Sequence, residues 1–97
     1  MEPMTHNPGA AGIGAQVVAN AARGMAGGDA ASAVVTALAP AGADEVSAQA
    51  ALGFASEGVE SVAVNTFAQE ELTRAGAAYV EIAGIYEAVD AANASTL

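Results

Sequence analysis

Three features of the sequence predict an all-α protein: two long antiparallel helices, a hairpin that completes a four-helix bundle with a partner chain. The first is composition. Hydrophobic residues make up 54% of the 97 positions, yet only 4% are aromatic, and alanine supplies more than half of the hydrophobic set. Alanine has the best helix propensity and lets helices approach closely. The second is residues 44–90, a stretch without proline whose larger apolar residues recur at the helical period. The third is a Pro- and Gly-containing break between that stretch and an earlier helical pattern.

Residues 1–8 form a polar lead-in with two prolines. His6, the single histidine, reads there as a solvated residue and not as a ligand or base. Pro8 suits the first turn of a helix, with Asn7 as its N-cap.

The first helix is expected over about residues 9–38, where Ile13, Val17, Ala21, Gly24, Gly28, Ala31, Val35 and Leu38 form a stripe. Its middle is small, with Gly24 and Gly28 in a G-x-x-x-G spacing. A mid-helix glycine costs about 1 kcal/mol relative to alanine, so the cluster needs a reason. One is a close crossing, with a backbone or a bulky side chain packed on the glycines; the other is simply a weak helix centre. Arg23 and Asp29 flank the motif and rule out its membrane-dimer version.

The turn is residues 39–43: Pro40 cannot continue the first helix and Gly42 frees the backbone. Asp44 is a natural N-cap for the second helix, with Glu45 favourable in its first turn. A connection this short makes the helices antiparallel neighbours.

The second helix is expected over about residues 44–90, roughly thirteen turns at 3.6 residues each. Val46, Ala50, Phe54, Val64, Ala68, Leu72, Ala75, Tyr79, Ile82, Tyr86 and Val89 form one stripe, whose single gap Glu57 and Ser61 fill at the same spacing. Glu45, Gln49, Ser56, Glu60, Glu70, Arg74 and Glu81 mark a polar edge. A third, mostly small face holds Ala48, Ala51, Ala55, Val62, Thr66, Thr73, Ala77 and Val80. One apolar stripe is expected to cover the first helix, and the leftover faces then call for helices of another chain. The expected contact residues are Ile13, Val17, Gly24, Gly28, Val35, Leu38, Phe54, Val64, Leu72, Tyr79 and Ile82. A first helix of about 30 residues spans roughly 45 Å, so the second helix beyond Arg74 should overhang its own hairpin by about four turns. Residues 91–97 read as a frayed tail.

A net charge of −9 disfavours nucleic acid and anionic membrane partners. The sequence has no cysteine, and hence neither a disulfide nor a thiolate metal site. Glu2 stands where a Sec-type signal would be basic, and no uncharged apolar run reaches the roughly 20 residues that span a bilayer. The carboxylates lie along a solvent edge; Glu57 with Glu60, or Glu70 with Glu71, offers at most a weak cation site. No nucleophile, oriented base and shielded pocket come together, so neither an enzyme nor a cofactor is expected.

These residues resemble the mycobacterial PE family over essentially the whole chain. The shared features are two Ala-rich helices, the Pro40 turn, Asp44-Glu45-Val46-Ser47 opening the second helix, and Tyr86-Glu87-Ala88-Val89-Asp90 matching the Y-x-x-x-D/E motif of type VII secretion substrates. Tyr79 does not fit that motif, because Ala83 stands where the acid belongs. Pro8 is followed by Gly9, not by the Glu of the pair that names the family, and Glu2-Pro3 has the reverse order. The segments Gly53 to Glu60 and Glu70 to Gly76 resemble short members of the metal-regulated type VII system.

The resemblance implies a PPE-family partner in a four-helix bundle, an EspG-type chaperone bound to that partner, and export of the folded pair through the type VII machinery. It also implies residence in the cytoplasm before export, then outside or in the envelope, and a part in siderophore-dependent iron acquisition. It makes Tyr86 and Asp90 the secretion signal; at i, i+4 they share one helical face. From the residues alone, Tyr86 reads rather as the last core position of its stripe and Asp90 as a polar residue of the helix end; the resemblance reverses that reading. The alternative for the whole chain is a self-associating hairpin, a homodimeric four-helix bundle with no secretion role.

Overall fold

The computed structural model describes residues 4–97; the readings placed on Glu2 and Pro3 lie outside them. The protein is all-α, a helical hairpin of α1 (Ala10–Thr36) and α2 (Glu45–Ala94). Asn7 caps α1: its Oδ1 accepts from the Gly9 N–H at 2.8 Å and its carbonyl from the Ala10 N–H at 3.0 Å. Asp44 caps α2, its Oδ1 accepting from the Ser47 N–H at 2.7 Å. Each cap satisfies N–H groups that the first helical turn leaves without a partner. α1 stops at Thr36, whose hydroxyl donates to the Ser32 carbonyl at 2.8 Å. α2 continues past Asp90 to Ala94, into the segment expected to fray.

The chain divides into two compact units. In the unit of residues 22–70, α1 and α2 run antiparallel: Val35 lies on Gly58, and Gly28 and Gly24 meet Asn65 and Gln69 further along α2. Asn65 Nδ2 donates to the Gly24 carbonyl at 3.1 Å, and its Oδ1 accepts from Gln69 Nε2 at 3.2 Å. The glycine cluster therefore marks a close crossing within the hairpin. The connection lies along the first turns of α2, where Leu38, Pro40 and Ala41 face Ala50, Ala51 and Phe54.

In the unit of residues 4–21 and 71–97, Gly14 and Gly76 face each other so closely that a Cβ on either would stand 2.9 Å from the other's carbonyl oxygen. Ala21 and Ala83 are the buried hydrophobic residues among those described.

Two expectations are corrected. α2 past Arg74 is not an overhang: Gly76 and Val80 pack on Gly14, and His6 reaches Tyr86. The reason lies at the turn, where the connection, not α1, accompanies the first turns of α2. Val35 consequently pairs with Gly58 and not with the start of α2. Nor does the bulky stripe cover α1. Apart from Val62 and Val80, the residues of α2 turned towards α1 are small or polar: Gly58, Gly76 and Ala83 are buried, and Ala51, Ala55, Asn65, Thr66, Gln69 and Thr73 are half-buried. Small side chains let backbones approach most closely, and the larger residues are left outside.

Candidate functional site

The bulky stripe of α2 is the surface these packing choices leave open. In the unit of residues 22–70, Phe54 and Val64 keep 59% and 70% of their surface exposed. Phe54 borders an open cavity of about 400 Å³ whose other walls include Gly28, Val35, Gly58 and Val62. In the other unit, Leu72, Tyr79, Ile82, Tyr86 and Val89 are all exposed large residues. On α1, Ile13 and Leu38 are likewise exposed. Val17 and Val35 are half-buried, and Gly24 and Gly28 are met by Gln69 and Asn65, respectively, of the same chain.

Tyr86 and Asp90 lie in the last turns of α2, Asp90 exposed and Tyr86 with 44% of its surface open. What the sequence did not announce is the company Tyr86 keeps. The His6 imidazole stacks on the Tyr86 ring, with centroids 5.5 Å apart and planes inclined by 13°. His6 Nε2 is 3.8 Å from Glu87 Oε1. Its side chain is 11% exposed, and Nε2 has no hydrogen-bond partner among the described residues. His6 is therefore not the solvated residue expected of a loose lead-in. Next to the stack, Met4, His6, Tyr79, Tyr86, Val89 and Asp90 line a cavity of about 460 Å³.

Asn65 and Gln69 were also missed. Their signal was present, since the pair is spaced i, i+4 like Gly24 and Gly28 on the facing helix. Among the described residues no group of three or more His, Cys, Asp or Glu is placed to hold a metal ion. No helix there is long and apolar enough to cross a membrane.

The arrangement leaves a row of large apolar side chains exposed, and comparison with known proteins shows the family of the chain. The PE family model matches residues 4–93. The chain belongs to the PE family. It is 76% identical, over 97 residues and 100% of both chains, to a protein of Mycolicibacterium smegmatis named "Uncharacterized PE family protein PE35". It is 52% identical over 90 residues, covering 93% of this chain and 91% of the other, to the "PE family immunomodulator PE35" of Mycobacterium tuberculosis strain H37Rv. The "PE family immunomodulator PE5" of the same strain is 44% identical over 88 residues, covering 91% of this chain and 86% of its own. Neither the family description nor these names denotes a catalytic activity. No solved structure matches.

Proposed function

We propose that this PE chain is the non-catalytic subunit of a heterodimer with a PPE-family protein. The pair is exported folded through a type VII secretion system that reads Tyr86 and Asp90. The observation that carries the reading is the exposed stripe. α2 spends its small face on α1 and leaves Phe54, Val64, Leu72, Tyr79 and Ile82 outside. Burying one such side chain contributes roughly 1.5–3 kcal/mol, so a chain that leaves a row of them open gains most from a partner. Helices of a PPE protein laid along this stripe make the four-helix bundle that the family resemblance implies.

An EspG-type chaperone then acts indirectly, on the PPE chain. The complex starts in the cytoplasm and ends outside the cell or in its envelope. The word immunomodulator in the names of the Mycobacterium tuberculosis relatives supports a destination beyond the cytoplasm. A siderophore-dependent role in iron acquisition has only the resemblance of Gly53 to Glu60 and Glu70 to Gly76 behind it; the relatives' names mention neither iron nor a siderophore.

The test is export of the pair from a mycobacterial host carrying Tyr86→Ala or Asp90→Ala. Both variants are expected to retain the complex and to lose export. Export of both at the level of the unaltered protein would remove the recognition role from these residues. The self-associating hairpin remains the second reading, since an apolar stripe can also meet its own copy.

A further inference from the structure

We infer that the described part of the lead-in, residues 4–8, is a positioning arm for the export signal: His6 holds the Tyr86 ring in place, and the face read with Asp90 exists in one arrangement because of it. This rests on the assignment of Tyr86 and Asp90 as the signal.

Three observations carry it. First, the path of the arm is fixed. Asn7 caps α1 through Gly9 and Ala10, and Pro8 holds its own backbone near one φ. Next to this anchored start, His6 lies against the Tyr86 ring at the end of α2.

Second, Tyr86 at the helix end keeps 44% of its surface open, and the α1 residue that lines a cavity with it is Ala10, whose methyl group offers a ring little wall. α1 begins at Ala10, and Ala83 is the buried residue at that end of α2. The near-parallel His6 ring supplies the missing wall.

Third, histidine is a poor choice for stability alone. Its Nε2 is buried without a hydrogen bond, with the Glu87 carboxylate 3.8 Å away, and a buried polar atom that makes no hydrogen bond is unfavourable. An aliphatic residue would cover the same helix end at no such cost. A flat group is what this position needs, because an aliphatic side chain cannot stack on the Tyr86 ring as the imidazole does.

The secretion machinery thus reads Tyr86 beside the cavity it shares with Asp90, not a bare pair on a helix. His6 is a positioning residue and makes no contact with the receptor in this scheme.

The experiment compares His6→Ala, His6→Phe and Tyr86→Ala in the full chain, co-expressed with its PPE-family partner in a mycobacterial host. The readouts are the exported fraction and the amount of intact complex in the cell. Removing a stacked aromatic partner is expected to lower export by about two- to tenfold, with the complex undiminished. His6→Phe, which keeps the stack and discards the imidazole, is expected to restore most of it. His6→Ala export equal to the unaltered protein, with Tyr86→Ala blocked, overturns the arm and leaves the signal standing. His6→Phe as poor as His6→Ala overturns stacking as the cause. Loss of the complex in His6→Ala assigns His6 to folding and overturns the positioning role. Normal export of Tyr86→Ala overturns the signal and the arm together.

Discussion

Glycine does opposite things at different points on these helices, and the difference is a matter of what lies opposite. A Cβ at Gly76 would meet the Gly14 carbonyl oxygen at 2.9 Å and Val18 Cγ2 at 2.8 Å. The oxygen belongs to a helix backbone and moves only if the helix moves. Alanine there gains helix propensity but forces the crossing apart, and overpacking of this kind costs about 1–3 kcal/mol. Gly12 has nothing within 4 Å of the same hypothetical atom, so alanine at that position keeps the propensity gain of roughly 0.5–1 kcal/mol. Gly76→Ala is therefore expected to lower the melting temperature of the purified complex and Gly12→Ala to raise it. Equal shifts from both would mean that the Gly14–Gly76 contact is loose in solution.

At the scale of a whole helix, the start of α2 depends on one carboxylate. Hydrogen bonds from the Ser47 hydroxyl and backbone N–H hold the Asp44 carboxyl below its ordinary value of 3.8. A depressed folded-state pKa stabilises the protein at pH above the unfolded value, and the effect fades as pH falls through the folded value. Helicity measured by circular dichroism is expected to decline in acid below about pH 3.8. Asp44→Asn, which caps without titrating, should flatten that part of the curve; an unchanged acid limb would separate the cap from the acid response.

This cap was legible from Asp44 alone, and so were the Pro40 break and both helices, because propensity, period and capping act within a few residues. The face of α2 that meets α1 was not. Periodicity shows that a stripe exists but not which neighbour it serves. Reading the largest side chains as the hairpin seam ignored that the glycines of α1 favour closest approach, which glycines on α2 such as Gly58 and Gly76 permit. The His6–Tyr86 stack was out of reach for the same reason. It joins residues that only the register of the hairpin brings together.

Taken as a whole, the molecule has its interior and its apolar mass in different places. Among the described residues the buried hydrophobic ones are Ala21 and Ala83, and no large side chain is fully buried, while Phe54, Val64, Phe67 and Ile82 are exposed. Hydrophobic stabilisation scales with the apolar area removed from water, and alanines and glycines remove little each. Close helix contact and the Asn65–Gly24 bond fix how the helices meet, but they do not replace a core. The larger stabilisation has to come from covering the stripe, and it then belongs to the complex. Such linkage makes the apparent stability grow with partner concentration, by about 1.4 kcal/mol for each tenfold rise above the dissociation constant. Expressed alone, the chain is expected to be poorly ordered or insoluble. Co-expressed with a PPE-family protein, it should give an equimolar complex that melts cooperatively, at a temperature that climbs with concentration. A well-ordered homodimer from the chain alone, with a melting temperature that added PPE protein leaves unchanged, would show that the stripe is closed by a second copy and favour the self-associating hairpin instead.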